Sequence, residues 1–175
     1  MASEAAVGAL NHAISGFLSN RADFPERVAA LVAEDPELAL GRCLKAVLGL
    51  ASFKQANVIA AVGAAREASR LAVRATERER RHAEAVEVWA HGEPGRAAAI
   101  WEAVLRETPR DVLAFRLVHF LRFWEGRPDL MLRAVEEAEQ GWAPEVPGWS
   151  MVLACRCFAL EECGYYTRRR PRGGR

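Results

Sequence analysis

The chain has 175 residues, 51% hydrophobic and 27% charged, with a formal net charge of +1. That length is enough for one domain with a real core, and the composition excludes a disordered chain. A balance this close to neutral sets up no overall field for nucleic acid or a membrane surface.

Val7, Leu10, Ile14, Phe17 and Leu18 recur at spacings of three and four, one face of a helix that stops near Ser19-Asn20. A second helix follows from about Phe24, with Pro25 in its first turn and Val28, Leu31 and Val32 on its apolar side. Asp35-Pro36-Glu37 reads as an N-cap, a first-turn proline and an acid suited to the positive helix end. This predicts a helix over about residues 36–51. An alanine-rich helix follows over about 53–73, in which Gly63 marks a kink or a close helix contact.

Thr76 and Glu79 have the capping-box spacing and start a helix that reaches His91. A turn at Gly92-Pro94 leads to a partner helix with Ala97, Trp101, Val104 and Leu105 inside. The segment 111–124 is apolar on most sides, as in a helix buried between neighbours. Gly126-Pro128 turns the chain into an amphipathic helix ending near Gln140. A loop at 141–148 then leads to a last apolar helix over about 147–163, and Gly164-Tyr165-Tyr166 reads as another turn.

Trp89-Ala90-His91-Gly92-Glu93-Pro94 and Phe123-Trp124-Glu125-Gly126-Arg127-Pro128 are near-matches 34 residues apart. A helix–turn–helix unit of that period is the tetratricopeptide repeat. The predicted fold is therefore all-α, an α-α superhelix of tetratricopeptide-like hairpins. It spans residues 1–166 and is followed by a disordered arginine-rich tail at 167–175. No stretch has the alternation of a strand.

A narrower likeness rests on several motifs in order. They are Asp35-Pro36-Glu37-Leu38-Ala39, Thr76-Glu77-Arg78-Glu79-Arg80, Trp89-Ala90 with Gly92, and Pro109-Arg110-Asp111. A final block runs from Trp142, Pro144 and Pro147-Gly148 to Phe158-Ala159-Leu160-Glu161-Glu162, Gly164 and Tyr166. Together they resemble the family of tetratricopeptide repeat protein 38 and its bacterial relatives. The resemblance implies a helical-repeat fold, no enzymatic activity and no catalytic residues. It also implies further repeats after the Gly164 turn, where this chain instead has arginine, proline and glycine. Two readings follow, a chain ended by a frameshift or truncation and a native basic tail.

The chemistry-bearing residues form no constellation. His12, His82, His91 and His119 lack ligand spacing, so no metal or cofactor is expected. Cys43, Cys155, Cys157 and Cys163 include no Cys-x-x-Cys pair and read as reduced, packed thiols of a cytoplasmic protein. All but two of the 24 basic residues are arginine, which with the many alanines suggests a high-GC, bacterial coding sequence.

The N-terminus has no secretory pattern. The apolar run 149–160 is broken by Arg156 and is well short of the ~20 residues of a spanning helix, so no membrane partner is expected. The tail arginines could hold phosphate without sequence preference, but nucleic acid is not the expected partner. Trp142 and Trp149 flank the longest loop and are the tryptophans expected at the surface.

The expected function is a non-enzymatic scaffold for a protein or peptide. Its concave face is formed by the first helices of the repeats, with His82, Arg116 and His119 as contacts. The alternative is a truncated array that self-associates through its last helix, where Val152, Leu153, Phe158 and Leu160 are expected to lie uncovered.

Overall fold

A computed structural model of the protein describes residues 3–165, and the tail at 167–175 lies outside them. Among the described residues the order is α1 (Glu4–Leu18), α2 (Phe24–Glu34), α3 (Ala39–Leu50), α4 (Gln55–Ala72), α5 (Glu77–Ala90), α6 (Pro94–Glu107), α7 (Val112–Trp124), α8 (Pro128–Glu139) and α9 (Trp149–Glu162), with no strand. Among those residues no helix is long and apolar enough to cross a membrane.

Local chemistry sets the helix starts. Ser3 accepts a hydrogen bond from the Ala6 amide before α1, and Asp111 accepts one from the Ala114 amide before α7. Thr76 and Glu79 close the predicted capping box before α5. Proline occupies the first turn of α2, α6 and α8, where no amide donor is needed. The start predicted at Pro36 lies three residues later. Asp35 Oδ1 accepts from the Glu37 amide at 3.1 Å, and Arg42 donates twice to the Pro36 carbonyl, so residues 35–38 are held in a turn.

The helix ends carry the repeat more fully than the glycines do. Each odd-numbered helix is followed by a residue in the left-handed region: Asn20 (φ 48°), Phe53 (φ 53°), Gly92 (φ 88°), Gly126 (φ 67°) and Gly164 (φ 79°). At four of these the next amide reaches back to the carbonyl five residues earlier: Arg21 to Gly16, Glu93 to Val88, Arg127 to Arg122 and Tyr165 to Leu160. That is the helix-closing bond of a left-handed cap. In the first two units asparagine and phenylalanine fill the place that glycine fills later.

Every helix packs on its successor, and α3 also meets α5 as α6 meets α8. The buried residues form one continuous core, with Leu31, Leu44, Trp101, Phe115, Leu117 and Met131 among its fully enclosed side chains. The alanine-rich α4 buries Ala61, Ala64, Ala65, Ala68 and Ala72 as a stripe, which lets α3 approach closely. A Cβ added at Gly49 would lie 2.8 Å from Ala61 Cβ. Gly63 marks neither a kink nor a contact. It is exposed within unbroken α4, and a Cβ there would meet nothing within 4 Å.

One contact departs from a stack that touches only its neighbours: α1 also reaches α7, although five helices lie between them in sequence. There Arg116 Nη2 donates to Asn20 Oδ1 at 3.3 Å. The last helix is better covered than expected, since Val152 is fully buried and Leu160 half-buried, leaving Leu153 and Phe158 partly exposed. Trp142 is buried rather than exposed. Its Nε1 donates to the Pro109 carbonyl at 2.9 Å, which pins the 141–148 loop, while Trp149 is half-buried.

Candidate functional site

His82, Arg116 and His119 do not share a surface. His82 on α5 is 0% exposed, so it cannot line a concave face as the sequence suggests. Trp101 Nε1, which can only donate, lies 3.0 Å from His82 Nδ1. Nδ1 is therefore the acceptor, and the ring proton sits on Nε2, which donates to Asp111 Oδ2 at 3.0 Å.

Arg78 Nε donates to the same oxygen at 2.6 Å, and Oδ1 caps α7. Burial pushes the Asp111 carboxyl up. The hydrogen bond from His82 and then the one from Arg78 outweigh that effect and hold the group well below the usual carboxylate range. A histidine oriented by an aspartate is also the base pair of a hydrolytic triad. Here the second ring nitrogen faces an indole N–H instead of a nucleophile, and neither residue reaches solvent. The cluster fastens α5, α6 and α7 together.

Arg116 and His119 do lie together, in an open apolar groove of about 360 Å³ between α7 and α9. Its α7 wall is Arg116, His119, Phe120, Phe123 and Trp124, a stripe at helical spacing. Its α9 wall, Met151, Ala154, Cys155 and Phe158, has the same spacing. Leu18 and Asn20, at the end of α1, close one side. His119 is 4% exposed, and its Nε2 donates to the Cys155 carbonyl at 3.1 Å. Burial lowers it to about 4, partly offset by that carbonyl, and the nearby Arg116 charge lowers it further. His119 thus forms the floor of the groove, and Arg116 is its charged group.

The groove continues into a run of aromatic rings. Phe158 lies 5.2 Å from Phe123, Phe123 5.4 Å from Trp124, and Trp124 4.5 Å from Phe53, measured between centroids. Trp124 is 57% exposed and Phe53 60%. Among the described tryptophans it is Trp124, and not Trp142 or Trp149, that stands at the surface. Nothing in the spacing of α7 separates its groove face from its packed faces, because each is mostly apolar with one arginine in it.

A wider trough of about 960 Å³ lies between the α2–α3 and α4–α5 turns. It is lined by acids and bases together, with Asp35, Glu37 and Glu79 facing Arg70 and Arg74, so it has no single chemical preference. Among the described residues no group of three or more His, Cys, Asp or Glu side chains is placed to hold a metal ion. No protein-family model matches the chain, and no solved structure matches it.

Proposed function

We propose that the protein is a non-enzymatic interaction scaffold of the tetratricopeptide type. In this reading it is a superhelix of helical hairpins, similar to the tetratricopeptide repeat protein 38 family, whose concave groove holds a segment of a protein partner. The reading is supported by the repeated left-handed residue after each odd-numbered helix and by consecutive helix packing. The observation that carries it is the aromatic groove between α7 and α9, with Trp124 and Phe53 exposed at its rim. Soluble proteins rarely leave contiguous large apolar side chains uncovered without a partner, and tryptophan is a favoured anchor in binding sites. Against an enzymatic reading stands the burial of the His82–Asp111 pair. A cytoplasmic, bacterial setting belongs to the same proposal. The four free thiols support the cytoplasmic part, and the arginine-dominated basic residues the bacterial part.

The test is to pan a random peptide display library on the folded chain and to titrate the selected peptides by fluorescence anisotropy. Saturable binding is expected, weakened about 30-fold by Trp124→Ala, the loss of an anchor worth ~2 kcal/mol. Selected peptides indifferent to both Trp124→Ala and Phe123→Ala would overturn the groove assignment. The alternative, self-association through α9, is favoured by Leu153 and Cys157, exposed one turn apart on that helix. Sedimentation equilibrium decides it: a concentration-dependent dimer that Leu153→Glu dissolves supports this reading, and a monomer throughout refutes it.

A further inference from the structure

Two features of the groove point to the kind of segment it takes, given that it takes one. The first is Arg116. It is half-buried beside the Cys155 thiol, and among the described residues it forms no ion pair. Besides that thiol, it donates to the Asn20 amide oxygen at 3.3 Å, a weak bond to an uncharged group. The same helix shows the contrast. Arg122, on a packed face of α7, is held by Glu102 and Glu125 at 2.8 Å each.

No carboxylate lines the groove. With Asn20 Oδ1 occupied by Arg116, the donors Asn20 has left are its amide N–H groups, and the ring N–H of His119 is used by Cys155. This end of the groove therefore offers hydrogen-bond donors and a positive charge within an apolar wall. A guanidinium so placed is satisfied best by a planar carboxylate.

The second feature is Phe53. At the equivalent turns of the other units the left-handed residue is asparagine or glycine. A phenylalanine there holds a backbone conformation that L side chains rarely adopt, yet it places its ring on Trp124. Strain kept where glycine would relieve it is a mark of use.

We propose that the groove takes a segment of a partner protein in which an internal aspartate or glutamate adjoins bulky apolar or aromatic residues. The carboxylate meets Arg116 and Asn20, and the apolar side chains lie along Phe123 and Phe158 to the rim at Trp124 and Phe53. The proposal rests on the groove reading above.

It is tested with the peptides selected on the full chain, synthesised with both ends blocked so that no terminal carboxylate is present. Each is paired with a version carrying Gln for Glu or Asn for Asp. The selected peptides are expected to share an acid beside an aromatic or leucine, and the amide version should bind about tenfold more weakly. Arg116→Gln should abolish that difference and Arg116→Lys retain part of it, while Trp124→Ala weakens both versions, with helicity checked by circular dichroism. Peptides lost in Trp124→Ala but indifferent to the acid-to-amide change overturn this inference and leave the groove reading standing. Peptides indifferent to both Trp124→Ala and Phe123→Ala overturn both. Decanoate bound with Arg116 dependence, where no peptide is selected, overturns the inference in favour of a small amphipathic carboxylate.

Discussion

Replacing Asp111 with alanine removes one side chain and undoes three connections. Its Oδ1 caps α7 through the Ala114 amide, and loss of such a cap costs about 1 kcal/mol. Its Oδ2 is the acceptor for His82 Nε2, a fully buried donor, and stranding that donor costs about 1–3 kcal/mol. The Arg78 partner is 40% exposed, so its lost pairing adds at most about 1 kcal/mol. Asp111→Ala is therefore expected to destabilise the fold by about 4 kcal/mol, within the range for breaking a buried charged pair.

Asp111→Asn has one oxygen, and keeping it on the Ala114 amide preserves the cap but turns an NH2 donor toward His82 Nε2 and Arg78, so it should cost only about 1 kcal/mol less. The assay is urea unfolding at pH 7 followed at 222 nm. Trp101→Phe serves as a second probe, since it strands His82 Nδ1 and also leaves part of a fully buried site unfilled, and should cost about 2–4 kcal/mol. A loss below about 1 kcal/mol for Asp111→Ala, or no coupling between Asp111→Ala and Trp101→Phe in a double-mutant cycle, would refute the keystone role.

The acid profile carries a second test. The His119 ring takes up a proton at about 4 in the folded chain, against ~6.5 in an unfolded one. Between those values the unfolded state binds more protons, so stability is intact above pH 6.5 and falls as the pH drops toward 4, by up to about 3 kcal/mol. His119→Gln should flatten that stretch of the urea-midpoint profile, and an unchanged profile would rule out the assignment. Gly49→Ala should cost about 1–3 kcal/mol, because its Cβ would lie 2.8 Å from Ala61 Cβ and 3.1 Å from the Asn57 carbonyl. Gly63→Ala, with nothing within 4 Å of the added carbon, should gain about 0.5–1 kcal/mol, and thermal melts of the pair check both signs. Phe53→Gly should leave stability unchanged or raised by about 1 kcal/mol as the left-handed strain is relieved, while shifting Trp124 emission. A clear loss of stability would mean that Phe53 serves packing instead.

The helices were legible wherever their chemistry is local. Apolar spacing marks α1 and α2, the Thr76–Glu79 box starts α5, and two Gly-x-Pro turns open α6 and α8. The helix breaks near Asn20 and Phe53 were legible but their left-handed caps were not, because a left-handed residue announces itself only when it is glycine. Asp35 misled for a related reason: its carboxylate caps the next turn's amide as readily as it would cap a helix. Nothing local ties His82 to Trp101 and Asp111, which lie 19 and 29 residues away in sequence. Arg116 could be picked out as a charge in an apolar helix, but its lack of an acidic partner shows only once α9 is in place.

The amphipathic pattern failed on α7 for a physical reason that bears on function. A helix packed on α6 and α8, touched by α1 and faced by α9, leaves little perimeter that can be polar. Leu113, Leu117 and Leu121 fill the core, while Phe123 and Trp124, close by on the same helix, form the groove. On the proposed scaffold reading, binding and stability depend on one segment, and most substitutions in it disturb both. The two separate most fully at its C-terminal turn. Trp124 is more than half exposed, so truncating it removes little buried area from the fold and much contact area from a ligand. His119, one turn earlier in the floor, offers no such separation, since its hydrogen bond to Cys155 ties α7 to α9 whether or not the groove is filled. A loss of binding on His119 substitution would therefore say nothing about recognition, whereas the same loss at Trp124 with an unchanged urea midpoint would locate the partner on the groove.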